Sequence, residues 1–152
     1  MAASTSDTWA SEIGSLSKEV PFELISRKKI TKGLSGGVTK LGLWASFLGS
    51  ALISQIYLNM MTGVGSTPPN FILWVLLCCL GGFTGSIIDS VLGELFQAKY
   101  IDEHLEVVET KHKQSEKLIH GYAWLDNNMV NLLSNVIVVC LFVVVLKMLG
   151  WN

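Results

Sequence analysis

The chain has 152 residues, of which 50% are hydrophobic and 15% are charged, and its formal net charge is −1. The mean hydropathy of +0.47 excludes an ordinary soluble domain and is typical of a membrane protein. This charge balance also gives no sign of a basic surface, so no nucleic-acid partner is expected. The three cysteines lie inside apolar runs without metal-ligand spacing, and we interpret them as packing or lipid-facing residues.

The first 14 residues are small and mostly polar. We interpret them as the end of a helix, so the fold should contain a partial helix at the N-terminus. For the same reason we expect the chain to be the C-terminal part of a longer protein.

A glycine-rich loop ends the polar connection that follows. Backbone N–H groups of flexible glycines can surround phosphate oxygens, and a following helix N-terminus adds partial positive charge. The loop is not a Walker A motif, because no strand precedes it. A flexible basic loop at the lipid headgroups is the interpretation that the residues alone favour. The candidate phosphate-binding residues are Lys32, Gly36, Gly37 and Lys40.

The central part of the chain is apolar. No charged residue lies between Lys40 and Asp89, and such a run crosses a bilayer twice, because one helical span takes about 20 apolar residues. We predict transmembrane spans at residues 37–61, 71–96 and 129–149. Small residues that predict close helix packing recur at every fourth position of the first span, at Gly42, Ser46, Ser50 and Ser54.

The predicted fold class is therefore all-α: a polytopic helical membrane protein with three full spans and a partial N-terminal helix. We expect residues 1–152 to form a single membrane domain. Residues 98–125 are the most charged segment. They allow a small β-hairpin in which residues 105–109 pair with residues 117–122.

A short polar pattern occurs twice, in residues 4–12 and 86–94. Each copy reads Ser, two residues, Asp, Ser or Thr, two residues, a small residue and Glu. A carboxylate with hydroxyls on adjacent turns supplies the hard oxygen ligands that suit Mg²⁺. Asp7 and Asp89 are therefore candidate metal ligands, provided that the two helices face each other. The alternative for Asp89 is a helix-end carboxylate in the headgroup region.

The third span begins with polar residues. Amides inside a span cost free energy unless they are hydrogen-bonded, so this polar start is expected to meet other helices or a ligand. The candidate residues are Asp126, Asn127, Asn128 and Asn131.

Four segments, residues 7–14, 36–40, 85–93 and 125–131, together resemble the transmembrane protein 19 family of integral membrane proteins. The resemblance covers nearly the whole chain. That family includes a plant protein of the glucose response and, more distantly, the phytyl-phosphate kinase of vitamin E synthesis. Family members usually carry Ala where this chain has Glu94, so the resemblance assigns no shared role to that residue.

The resemblance implies a membrane enzyme that transfers phosphate from a nucleoside triphosphate to an isoprenoid phosphate, such as phytyl or prenyl phosphate. In this hypothesis the two Asp residues hold Mg²⁺, the glycine-rich loop holds the nucleotide phosphates, and the polar start of the third span orients the lipid phosphate. Phosphoryl transfer depends on positioning and charge neutralisation rather than on a nucleophilic side chain.

Two other functions remain open at this point. Repeated carboxylates inside a membrane also fit an ion or small-molecule transporter module. The small-residue stripes alone fit a non-catalytic subunit of a membrane assembly.

The distribution of positive charge predicts the orientation. Six Lys or Arg residues lie before or at the start of the first span, the last of them Lys40; none lies between the first and second spans, and four lie between the second and third. Positive residues in short loops stay on the cytoplasmic side. We therefore expect the N-terminal segment and residues 98–125 in the cytoplasm, and the turn at residues 63–69 and the C-terminus outside.

Overall fold

The structure is a computed structural model that describes residues 1–65, 70–111 and 116–150. Within these ranges the chain forms four α-helices and five short β-strands. The helices are α1 (Ala2–Ser15), α2 (Lys40–Gly63), α3 (Phe71–Phe96) and α4 (Asn127–Met148). The strands are β1 (Phe22–Glu23), β2 (Gly37–Val38), β3 (Lys99–Ile101), β4 (Val107–Val108) and β5 (Lys117–His120).

Three of these helices, α2, α3 and α4, are long and apolar enough to cross a membrane. α1 has 14 residues and lies where the N-terminal helix is predicted. The predicted fold class, a helical membrane protein with three full spans, is therefore confirmed. The assignment of residues 1–152 to a single domain stays a prediction.

Local hydrogen bonds account for the observed starts of the first and third spans. The second span coincides with α3. The first begins only at Lys40, because the two residues of β2 pair with β1 and the Thr39 hydroxyl then accepts the N–H of Gly42 at 3.0 Å. The third begins earlier than predicted, because the Asp126 carboxylate accepts the N–H of Met129 at 2.9 Å and caps α4.

The segment between α3 and α4 forms a three-stranded antiparallel sheet. Its central strand is β3, which pairs with both β4 and β5. A small β-hairpin, β3–β4, is therefore present, but the predicted pairing of residues 105–109 with residues 117–122 is wrong. The chain continues directly from α3 into β3. The Ala98 N–H donates to the Leu125 carbonyl at 2.9 Å, which keeps β3 beside the start of α4.

α1 packs against α2 and α3 at positions where only a glycine fits. A methyl group added at Gly42 would lie 2.8 Å from the carbonyl oxygen of Ala10, and one added at Gly82 would lie 2.8 Å from the Cβ of Ala2. The C-terminal end of α1 therefore adjoins the start of α2, and its N-terminal end adjoins the middle of α3. It follows that α1 runs antiparallel to α2.

Buried serine hydroxyls add hydrogen bonds to these contacts. The Oγ of Ser6 lies 2.7 Å from the Oγ of Ser46, and the Ser50 hydroxyl donates to the carbonyl of Cys79 at 2.7 Å. Hydroxyls that bond within the bundle allow backbones to approach closely in lipid. All four small residues of the predicted packing stripe on α2 are buried, which confirms that prediction.

The polar connections meet at one end of the bundle. A methyl group added at Gly36 would lie 2.5 Å from the backbone nitrogen of Glu94, near the end of α3. The Ser35 hydroxyl lies 3.5 Å from the side-chain oxygen of Asn127, at the start of α4. The end of α3 and the start of α4 therefore share one side of the bundle.

The shared end allows a test of orientation. We expect a membrane-impermeant maleimide added to the cytoplasmic face to react with Lys28→Cys but not with Val64→Cys, each introduced into a cysteine-free background. The positive-inside rule assigns the charged end to the cytoplasm. Reaction of Val64→Cys alone from that face would contradict the assignment.

The glycine packing allows a second test, with Gly82→Ala. The added methyl group would lie 2.2 Å from the Ser50 hydroxyl and 2.8 Å from the Cβ of Ala2. Such overpacking costs about 1–3 kcal/mol, so we expect a lower thermal unfolding temperature in detergent. Gly63→Ala is the matched control, because no atom lies within 4 Å of its added methyl group. Equal unfolding temperatures for the two variants would show that the close contact of Gly82 with Ala2 and Ser50 does not contribute to stability.

Candidate functional site

A cavity of about 470 Å³ lies where the polar connections meet the helix ends, and we call it the polar cavity. Asp7 of α1 and Asp89 of α3 line it, together with the whole loop from Lys32 to Val38. Asn127, the first residue of α4, lines it as well. Residues from all three groups of candidates therefore share one cavity.

The two aspartates come from corresponding positions of the repeated pattern. Ala3 lies one turn before Asp7, and Gly85 lies one turn before Asp89. A methyl group added at Gly85 would lie 2.6 Å from the Cβ of Ala3, so α1 runs parallel to α3 with the two copies side by side. Burial, and secondarily the charge of the Asp89 carboxylate, raises the pKa of Asp7, which lies outside the three spans, to about 7.

The oxygen atoms around the aspartates fit a hard cation better than a zinc ion. Ser11, Ser86 and Ser90 line the same cavity. Within the described ranges, no group of three or more His, Cys, Asp or Glu side chains is arranged to hold a metal ion. Mg²⁺ commonly binds one or two carboxylates and completes its shell with water and substrate phosphates. The donor set therefore fits Mg²⁺ that binds together with a phosphate.

α4 contributes a residue that the sequence analysis missed. Asp89 is buried, and its Oδ2 accepts a hydrogen bond from the Ser134 hydroxyl at 2.9 Å. Ser134 is buried as well, so this bond orients the carboxylate. The spacing of three residues between Asn131 and Ser134 was the signal that could have identified Ser134, because residues three apart share a helix face.

The glycine-rich loop reaches the polar cavity with three of its four candidate residues. Lys32, Gly36 and Gly37 line the cavity. Gly36 has a positive φ of 82° and packs on the backbone of α3, so it also has a structural role. Lys40 does not line the polar cavity; it is exposed and lies 3.8 Å from the carboxylate of Glu19. Lys32 is therefore the candidate lysine that lines the cavity, and its ammonium group donates to the Ser17 carbonyl.

The polar start of α4 contributes one of its four candidates. Asn127 lines the polar cavity. Asp126 caps α4, and Asn128 is exposed. The backbone carbonyl of Asn131 accepts the side-chain amide of Asn135 at 2.7 Å and lies 3.0 Å from the Ser134 hydroxyl, which has one hydrogen to share between this carbonyl and Asp89. Asp126, Asn128 and Asn131 do not line the cavity.

A buried glutamate holds the connection between β1 and β2. The two carboxylate oxygens of Glu94 accept the backbone N–H groups of Ile25 and Ser26, at 2.9 and 2.7 Å. Glu94 is buried near the end of α3. It therefore ties this connection to the membrane helices, and the loop that follows is held over the polar cavity.

A second cluster that the sequence analysis missed lies on the wall of the polar cavity. Ser35 donates its backbone N–H and its hydroxyl to the carboxylate of Glu109, the latter at 2.8 Å. The side-chain amide of Gln97 donates to Glu109 Oε2 and to Ser35 Oγ, both at 2.9 Å. Ser35 and Glu109 line the cavity. No spacing in the sequence joins these three residues.

An apolar cavity of about 480 Å³ lies next to the polar cavity. Trp44, Phe47 and Phe83 line it, with Lys40 and Leu43. Leu43 lines both cavities. An apolar space thus adjoins a polar space at the end of the spans.

Residues 1–139 match the family described as integral membrane protein DUF92. The chain is 34% identical over 137 residues to Protein PGR of Arabidopsis thaliana, and this match covers 88% of the chain and 48% of the relative. It is also 34% identical over 113 residues to an uncharacterized membrane protein of Methanocaldococcus jannaschii, covering 72% of the chain and 44% of that relative. The chain therefore spans about half the length of these curated relatives. No solved structure matches it.

The family match agrees with the three apolar helices and confirms that the protein is a multi-pass membrane protein. It is also consistent with the resemblance to the transmembrane protein 19 family. The match covers more than half of the chain. The chain belongs to the integral membrane protein DUF92 family.

Proposed function

We propose that the polar cavity binds Mg²⁺ and phosphate groups, and that the protein transfers phosphate from a nucleoside triphosphate to an isoprenoid phosphate. The observation that supports this proposal is that acidic groups and phosphate-binding groups line the same cavity. Three carboxylates, those of Asp7, Asp89 and Glu109, line it together with Lys32 and a glycine-rich loop. A cation bridging carboxylates and phosphates satisfies both.

Each candidate residue has a role in this proposal. Asp7 and Asp89 hold the cation, and Lys32 with the N–H groups of the loop binds phosphate oxygens. Asn127 orients the second phosphate with its amide. When bound, Mg²⁺ neutralises the charge on the transferred phosphoryl group, so that this chemistry needs no nucleophilic side chain.

The position of the cavity also supports a lipid substrate. It lies at the ends of membrane helices, where water-soluble and lipid-borne phosphates both have access. Aromatic side chains line the adjoining apolar cavity, which offers a place for an isoprenoid chain. The polar head would then reach the polar cavity past Leu43, which lines both.

The transporter alternative shares the paired aspartates but needs no nucleotide. The deciding experiment assays the purified full-length protein with Mg²⁺, nucleoside triphosphates and phytyl or prenyl phosphate, in parallel with ion flux in liposomes. We expect nucleotide-dependent formation of the isoprenoid diphosphate and no flux above that of empty liposomes. Cation flux without phosphoryl transfer would replace this proposal with the transporter.

Asp89→Asn tests the metal role within the same proposal. The amide keeps the size of the side chain and still accepts the Ser134 hydroxyl, but it removes an anionic ligand. We expect Mg²⁺ with nucleotide to stabilise the variant at concentrations at least about tenfold higher than the parent requires, which corresponds to about 1.4 kcal/mol. Thermal unfolding in detergent, with and without these ligands, gives the measurement.

Asp126→Asn is the matched control for this substitution. It makes the same chemical change at a carboxylate that caps α4 outside the polar cavity, and Asn is also a good N-cap residue. We expect it to respond to Mg²⁺ and nucleotide as the parent does. Equal ligand-induced stabilisation of the parent and both variants would leave Asp89 as a helix-end carboxylate with no metal role.

A further inference from the structure

We propose that Ser35 and Gln97 form an oxyanion site in the wall of the polar cavity, that the Glu109 carboxylate occupies this site, and that a phosphate monoester takes it by displacing Glu109. The inference deepens the proposed function and rests on it only for the phosphate-bearing class of ligand. None of these three residues belongs to the phosphate-binding set predicted from the sequence.

Three hydrogen-bond donors are aimed at one carboxylate, that of Glu109. The backbone N–H and the hydroxyl of Ser35 and the side-chain amide of Gln97 all donate to Glu109. Three donors converging on two oxygen atoms make a site for an oxyanion, because hydrogen bonds to a charged acceptor are about twice as strong as neutral ones. A phosphate monoester offers three such oxygens and about −1.5 to −2 charges at neutral pH.

The protein holds the Gln97 donor in place before any ligand binds. Gln97 is fully buried. Gly121 holds its backbone tightly, because a methyl group added there would lie 2.1 Å from the Gln97 carbonyl oxygen. The side-chain nitrogen of Gln97 donates to both Glu109 and Ser35, at 2.9 Å each, so these two bonds hold the amide in one orientation.

The Glu109 carboxylate can move away from these donors. It is half-buried and directly follows β4, a strand of two residues at the edge of the sheet. Short edge strands with few buried contacts open at low cost in free energy. When Glu109 leaves, the Gln97 amide keeps its bond to the Ser35 hydroxyl, so the site does not collapse.

The negative charge of the cavity lining also favours the exchange of Glu109 for phosphate. Among the residues that the structure describes, three carboxylates (Asp7, Asp89 and Glu109) line the polar cavity against one lysine, Lys32. A phosphate that entered beside all three carboxylates would be repelled. Exchange of Glu109 for phosphate removes one of those negative charges as the ligand enters.

The test compares Glu109→Gln with Ser35→Ala in the full-length protein in detergent, at constant Mg²⁺. Inorganic phosphate and phytyl monophosphate are titrated separately, and binding is followed by the phosphorus NMR signal and by thermal unfolding. We expect Glu109→Gln to bind phosphate several-fold more tightly than the parent, because the neutral amide competes less well for the donors. We expect Ser35→Ala, which keeps the backbone N–H but loses the hydroxyl, to bind several-fold more weakly.

Glu106→Gln is the matched control, because Glu106 is exposed on the same segment and does not line the cavity. It should bind phosphate as the parent does. If Glu109→Gln binds phosphate as the parent does or more weakly, Glu109 is a structural tether or a metal ligand, and the inference is overturned. If only phytyl monophosphate shows the effect, the ligand is a lipid headgroup; an effect with inorganic phosphate indicates a free or nucleotide phosphate. Either result supports the oxyanion site.

The binding measurement needs no turnover, so the two proposals can fail separately. Opposite effects of Glu109→Gln and Ser35→Ala on binding, in a protein that transfers no phosphate, would leave the oxyanion site standing without the kinase. Phosphoryl transfer by the parent, with phosphate affinity unchanged in Glu109→Gln, would leave the kinase standing without this site.

Discussion

The close approach of α1 to α2 and α3 is the contact on which the rest of the structure depends. α1 carries few large apolar side chains, so it cannot be held by a hydrophobic core, and in lipid such a core would offer little driving force. It is held instead by glycine contacts at Gly42 and Gly82 and by the buried hydroxyl pair of Ser6 and Ser46. The same contacts fix the register of α1 along α3. That register brings Asp7 to the cavity that Asp89 lines.

Once this register is set, the electrostatics of the cavity follow. Burial, and secondarily repulsion from the charge of Asp89, raises the pKa of Asp7. A proton or a cation relieves that repulsion. In the proposed function, the phosphate that comes with the cation meets donors that already bind the Glu109 carboxylate, from Ser35 on the loop and from Gln97 after α3. The proposal thus assigns the cation and the phosphate to different groups of the same cavity.

The sequence predicted the features that depend on local composition and failed for those that depend on tertiary contact. The predicted second span matches α3 to the residue, and four-residue spacing identified the buried stripe of α2. The repeated pattern pointed to Asp7 and Asp89, and both line the polar cavity because α1 packs along α3. Lys40 lies outside the cavity, exposed beside Glu19, a contact that no local pattern indicates. Ser35, Gln97 and Glu109 were missed because they lie on three separate segments with no shared periodicity.

Glu94 and Glu109 show why residue type alone could not separate a structural carboxylate from an exchangeable one. Both accept backbone N–H groups of the polar connections. Glu94 is buried, and its departure would leave two backbone N–H groups without this acceptor, at about 1–3 kcal/mol for each one that stays buried and unpaired. Glu109 is half-buried, and two of its three donors are side-chain groups that bond to each other without it. The free energy needed to remove Glu109 is therefore smaller, and an incoming oxyanion of higher charge can supply it.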